Sequence, residues 1–184
     1  QASEHERLAS EAREAAQRWM IASRTERHVA GSLAVLGAAG YLSLHDRAWP
    51  GSKTAQIDHV LVGPGGVFIV DTKAWADVMV AGGRIFRGQA DETDKLSALA
   101  DVGYGVEAVI AEAGVSANAV HVIVVLAGGS QPATPVGSVT VVGERQAAKH
   151  INGYGRRLTD IEVDQVYEAA RRHFGVLTAS PTIP

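Results

Sequence analysis

Apolar residues along this chain fall into short β-branched runs set between helical stripes. Ser3 to Ile21 is polar, rich in Ala, Glu and Arg and free of Gly and Pro, which predicts a mostly solvated helix. Ser3 and Glu6 stand at capping-box spacing. A second helical pattern puts Val29, Leu33 and Leu36 on one stripe; one turn back lies Glu26, a carboxylate on the core-facing side. Gly40 ends that pattern. Tyr41 to His45 reads as a short strand and Asp46 to Thr54 as a polar loop. Two runs around Gly63-Pro64-Gly65-Gly66 predict a hairpin within Ala55 to Trp75. Asp77 to Val80 and Arg84 to Arg87 predict a small ribbon about Gly82 and Gly83.

Asp91 to Ala113 is helical, with Leu96, Leu99, Val102, Val106 and Ile110 on one face and Gly103 and Gly105 weakening it. Val120 to Leu126 is almost continuously apolar, the mark of a strand buried on both faces. Val139 to Val142 predicts a further strand, and helices around Glu144 to Ile151 and Thr159 to His173 close the domain. Val176 to Pro184 reads as a flexible tail. This order defines an α/β domain with a mixed β-sheet flanked by helices. The expected division is an N-terminal polar helix or arm over 1–22, a domain over 23–175 and the tail over 176–184.

The hairpin carries charges where interior strands stay apolar. If Gly63 to Gly66 form a four-residue loop, Val62 pairs with Val67 and Asp58 falls opposite Asp71. Pro64 and Gly65 suit the centre of a type II turn. Alternation puts Lys73 on the face of Asp71, with Val60, Val62, Val67 and Ile69 beyond; Ile57, His59, Leu61, Phe68 and Val70 take the other face. Opposed aspartates repel and lose hydration. A lysine offsets part of this and a divalent cation more, and carboxylates are ligands that Mg²⁺ or Mn²⁺ prefers. The competing reading is a structural ion pair among Asp58, Asp71 and Lys73 at the sheet end. A slip of one residue in register would separate the aspartates.

Composition narrows the field. The 184 residues fit one domain, 46% hydrophobic and 20% charged, as in ordinary globular chains. The absence of cysteine excludes disulfides and Cys-ligated zinc and leans towards a cytoplasmic setting. No apolar run approaches the ~20 residues of a membrane helix; Gly31 to Leu44 is the longest candidate. The chain opens on Gln1, as a fragment of a larger protein or a processed form would. A net charge of −3 argues against phosphate gripping as the sole mode of nucleic-acid binding.

The string IDHVLVGPGGVFIVDTKAW, with TERHV upstream and LHD between them, resembles the NERD (nuclease-related) domain of the PD-(D/E)xK nuclease-like superfamily. The resemblance covers about Arg24 to Leu126 and implies a restriction-endonuclease-like αβββαβ core. It implies a site in which Asp58, Asp71 and the Thr72 carbonyl hold Mg²⁺ or Mn²⁺, and Glu26 binds directly or through water. Lys73 would orient the nucleophile. Asp71 stands where this family more often has Glu. The family often carries a Gln in the helix after the core strands; Asp91 to Ala113 has none, and Gln89 lies just before it.

DNA is the implied partner, with Arg24, Arg27, Gln56 and Trp75 as contact candidates. Arg13, Arg18, Arg156–Arg157 and Arg171–Arg172 are further candidates for a phosphate-binding rim, although solvated helix faces are their default use. Trp49 and Trp75 suit base stacking or sheet-end packing, and His59 reads as a core histidine. Three functions compete: a metal-dependent DNA nuclease, a catalytically silent nuclease-fold module for binding DNA or protein, and a self-associating scaffold using the polar helix.

Overall fold

The structure, a computed structural model, describes residues 2–49, 56–116 and 119–175. The tail expected over 176–184, residues 50–54 of the expected polar loop and residue 55 at the start of the hairpin stretch lie outside the described residues. The chain begins with α1 (Ala2–Leu33) and a 3-10 turn over Ala34–Ala39, then β1 (Leu42–Ala48), β2 (Gln56–Gly63) and β3 (Gly66–Lys73). A small sheet follows, from β4 (Val78–Ala81), β5 (Arg84–Arg87) and β6 (Ala90–Asp91), and then α2 (Thr93–Glu112). The remainder is β7 (Val120–Leu126), β8 (Thr134–Val136), β9 (Val139–Gly143), α3 (Glu144–Asn152) and α4 (Asp160–His173).

The main sheet has six strands in the order β1-β2-β3-β7-β9-β8. β3–β7 and β7–β9 are parallel and the other pairs antiparallel, so the sheet is mixed as expected. A buried cluster on one face joins Val60, Val62, Val67 and Ile69 to Leu96, Val106 and Ile110 of α2 and Val163 and Val166 of α4. The opposite cluster joins Leu61, Phe68, Val70 and Ile123 to Val29 and Leu33 of α1 and Ala147 and Ile151 of α3. Helices on both faces are what a sheet apolar on both sides requires. Among the described residues no helix is long and apolar enough to cross a membrane.

Several expectations need correction. α1 is one helix, continuous through residue 22, rather than two, and Ser3 lies inside it rather than at its cap. β1 runs on to Ala48, past the expected end at His45. Val62 does pair with Val67, but Gly63 also pairs with Gly66, so the loop is Pro64–Gly65 alone. Gly65 lacks the positive φ of a type II turn; Gly66 carries it, at 127°. A Cβ on Gly66 would lie 2.3 Å from the Ala119 carbonyl oxygen, so a side chain there would block the approach to β7.

The glycines of α2 also admit close neighbours. A Cβ on Gly105 would lie 2.1 Å from the Trp49 ring, and one on Gly103 would lie 2.6 Å from Val122. Trp49 stacks on Phe174 with ring centroids 5.9 Å apart, a packing role rather than a base-stacking one. Ile57 joins the cluster of Val60 and Ile69, not that of Leu61, contrary to simple alternation. The reason lies next door: the β1–β2 ladder skips the Asp46–Asp58 position, and Asp46 has a left-handed φ of 51°. The pleat is interrupted there, at the start of β2.

Candidate active site

Interruption of the ladder frees Asp58 to turn its carboxylate along the sheet end. The β2–β3 pairing runs from Gly63–Gly66 to His59–Val70, and one further step in that register brings Asp58 level with Asp71. Beyond that point the Thr72 backbone N–H donates to Asp58 Oδ2 at 2.7 Å. Lys73 Nζ donates to Asp71 Oδ1 at 3.0 Å. The same nitrogen lies 2.8 Å from Asp71 Oδ2, close enough for an ion pair but without hydrogen-bond geometry. Asp71 Oδ2 is thus a buried carboxylate oxygen with no hydrogen-bond partner among the described residues.

α1 brings Glu26 to the same place. The Val29–Leu33 stripe seats the helix on the sheet, and one turn earlier Glu26 joins Asp58, Asp71, Thr72 and Lys73 in lining a cavity of about 420 Å³. Arg18, Ile21 and Thr25 of α1 and Trp75 line it too. Burial first, then repulsion from Asp71, pushes the Asp58 carboxyl up to about 7; Glu26 adds to this, while Thr72 N–H and Lys73 oppose it. Burial raises Asp71 as well, against the pull of Lys73. Glu26 is raised by burial, then by Asp46 and Asp71. Each acid is therefore held in an environment that disfavours its charge.

The donor chemistry suits a hard cation, within a limit. Among the described residues no group of three or more His, Asp or Glu side chains is arranged to hold a metal ion. The set at hand is the Asp58–Asp71 pair, with Thr72 between the strands and Glu26 in the cavity wall. One or two carboxylates completed by water is a usual protein contribution for Mg²⁺. Asp71 Oδ2 accepts no hydrogen bond among the described residues and has only the Lys73 ammonium beside it, so it keeps lone pairs that such an ion would satisfy, and the residues fit the cation.

His59 is buried, as expected, with Nδ1 2.9 Å from His45 Nδ1 and Nε2 3.3 Å from Thr72 Oγ1. Burial and then His45 depress it to about 4, so it is neutral and backs the strand rather than facing the acids. Asp46 acts on Glu26 as a further acid of the site, and the sequence signals it by no more than its place in the LHD string.

The DNA-contact candidates divide. Arg24, Arg27 and Trp75 line a second hollow of about 880 Å³ beside the first. Gln56 is exposed at the start of β2 and lines neither hollow. Arg13 is exposed on α1. Arg156 pairs with Asp160 at 3.1 Å, and the Arg157 backbone N–H donates to Pro64 O at 2.7 Å, which places both at the far end of the hairpin. Arg171 pairs with Glu168 at 2.9 Å and Arg172 faces a hollow between α2 and α4, so neither belongs to a rim around the acids. Gln89 is exposed in the β5–β6 turn and lines neither hollow.

A mixed sheet with helices on both faces, whose central hairpin delivers Asp58, Asp71 and Lys73 to one end, defines a nuclease-like α/β domain. The sequence pattern of the nuclease-related domain matches residues 21–127, and the chain belongs to that family. The matched segment contains Glu26, Asp58, Asp71 and Lys73. No curated protein and no solved structure gives a significant match to the chain.

Proposed function

We propose that this domain is a divalent-metal-dependent phosphodiester hydrolase acting on DNA, with Mg²⁺ or Mn²⁺ as its cofactor. The observation that carries the reading is Asp71 Oδ2, buried and without a hydrogen bond, beside an Asp58 whose carboxyl is lifted to about 7. A carboxylate pair in that condition is neutralised either by a proton or by a cation. Asp58 and Asp71 would hold the ion, with the Thr72 carbonyl as a further donor and Glu26 contributing directly or through water. When bound, the ion supplies Lewis acidity towards a phosphoryl oxygen and towards water.

The chain's own residues position the rest. Thr72 N–H fixes the Asp58 carboxylate at 2.7 Å. Lys73 is 28% exposed in its side chain, so its ammonium serves Asp71 and still faces the cavity. Its remaining protons orient an attacking water and balance charge on the phosphoryl oxygens.

The test is melting of wild type and Asp58→Asn against rising Mg²⁺ or Mn²⁺, with cleavage of single- and double-stranded DNA followed alongside. Wild type gains about 2.7 kcal/mol at a metal concentration a hundredfold above Kd. Asp58→Asn loses both this gain and cleavage. An equal metal response in the two proteins would sink the site. One observation favours a second reading, a silent module that binds DNA or protein: among the described residues Glu26 shares the cavity but does not close on the aspartate pair to complete a three-acid cluster. That reading predicts no cleavage by wild type under any of these conditions.

A further inference from the structure

The two hollows at the sheet end are one groove. Thr25, Ala74 and Trp75 line both, so the carboxylate cavity opens past Trp75 into the space beside Arg24, Arg27 and His28. The chemistry changes along its length. One end holds Glu26, Asp58 and Asp71 with Lys73. The other is lined by two arginines and by no carboxylate. Among the described residues neither Arg24 nor Arg27 has an acidic partner, and the Arg27 side chain donates only to the Ser23 carbonyl, at 3.3 Å.

Trp75 stands at the junction. It packs against the buried cluster below the sheet yet is only part-buried, so its ring is anchored on one side and faces the groove on the other. It follows Lys73 by two residues, at most roughly 7 Å of chain, and lines the same cavity as the acids, within reach of a nucleotide next to the one they hold. Stacking on an aromatic side chain needs a base whose face is uncovered, and in a duplex neighbouring pairs cover it.

The geometry points to single-stranded DNA as the occupant of this groove, with one unpaired base on Trp75 and the adjoining backbone phosphates on Arg24 and Arg27. This rests on the hydrolase reading only for the location of the scissile bond; the binding itself needs no cleavage. Two arginine contacts also suit a chain of net charge −3, which brings little overall positive charge to a nucleic-acid backbone.

The test measures anisotropy of a labelled oligo-dT and of a blunt duplex of equal length, in EDTA and again in Ca²⁺, across a salt series. Oligo-dT binds at least tenfold tighter than the duplex. Trp75→Leu keeps an apolar side chain for packing but loses tenfold or so in oligo-dT affinity with an unchanged salt slope, and Trp75→Phe recovers most of it. The double change Arg24→Gln with Arg27→Gln flattens the slope of log K against log salt by about 1.4. Equal or tighter duplex binding, or a Trp75→Leu variant that binds oligo-dT like Trp75→Phe, overturns the proposal. Cleavage that fails while this binding pattern holds overturns the hydrolase reading and leaves the groove; cleavage that persists without the pattern does the reverse.

Discussion

The backbone N–H of Thr72 donates to Asp58 Oδ2 at 2.7 Å, where a regular β2–β3 ladder would continue between main chains. A side chain thereby takes over the main-chain partner at the sheet end. It ties an acid of β2 to β3 and holds it beside Asp71. The bond stabilises the ionised form of Asp58, but burial and the neighbouring acids outweigh it, since the carboxyl still rises to about 7.

That balance makes metal-free stability depend on pH. The folded-state value of Asp58 is raised from 3.8 to about 7, so the folded protein binds the proton more tightly than the unfolded chain. Its contribution is fully present below about pH 4 and is lost as pH rises through about 7, by a few kcal/mol in all. Asp71 and Glu26 shift in the same direction and reinforce the trend. Melting in EDTA between pH 5 and 8 is the measurement. Wild type weakens with rising pH and Asp58→Asn weakens much less. A flat wild-type profile would show that the acids are not crowded as described.

Asp46 gives a second handle on the same electrostatics. It is exposed, it holds a φ of 51°, and after burial it is the largest cause of the raised Glu26 carboxyl. Asn adopts left-handed backbone readily, so Asp46→Asn removes the charge and keeps the chain path. A carboxyl-detected NMR titration should then place Glu26 at a lower midpoint than in wild type. Asp46→Ala should melt earlier than Asp46→Asn by about 1 kcal/mol, because Ala is strained at that φ. An unmoved Glu26 midpoint would remove Asp46 from the site.

Much of the site could be read from the chain because it depends on local rules. A period of two and a Gly-Pro-Gly-Gly turn were enough to set Val62 against Val67 and a register that runs to His59–Val70, one step short of Asp58 and Asp71. What was hidden depends on contacts made elsewhere. The escape of Asp58 from the ladder follows from the backbone of Asp46 on another strand. Continuity of α1 was hidden because residues 6–22 are exposed and carry no apolar stripe to continue the one at Val29. β8 was missed because it is a three-residue edge strand centred on Pro135, and proline reads against a strand except at an edge. Gly103 and Gly105 looked like helix weakeners and prove to be the sites of close approach to Val122 and Trp49.

The position of Glu26 depends on how α1 is fastened, and Glu144 is the fastening. It is 7% exposed at the start of α3, and its Oε2 accepts from Gly128 N–H at 2.7 Å while Oε1 accepts from Ser32 on α1. His28 Nε2 lies 3.2 Å away. Glu144→Ala leaves the Gly128 amide and the Ser32 hydroxyl without this partner, and should lower stability by about 2–3 kcal/mol. Because α1 carries Glu26, Arg24 and Arg27, the variant should also bind metal and DNA more weakly at temperatures where it remains folded. Calorimetric unfolding and a metal titration check both. A variant that melts like wild type would show that α1 is held by Val29 and Leu33 alone.

Lys73 separates catalysis from structure. Its ammonium is the hydrogen-bond donor to Asp71, so Lys73→Ala leaves a buried carboxylate with neither donor nor counter-charge. In EDTA near neutral pH the variant should melt earlier, by about 1–3 kcal/mol, the cost of an unsatisfied buried group. Mn²⁺ should recover most of that loss, since a cation between the aspartates supplies the missing charge. Turnover should not recover. A donor aimed at charge that develops in the transition state is worth about 100- to 1,000-fold in rate, and metal on the aspartates does not replace it. DNA affinity should change little, because such an interaction strengthens only as the reaction proceeds. Cleavage rates, anisotropy and melting on one preparation make the comparison. A variant that melts normally and cleaves at the wild-type rate would remove Lys73 from both roles. A variant that melts early in a parent protein with no cleavage would leave Lys73 as a counter-charge in a binding module.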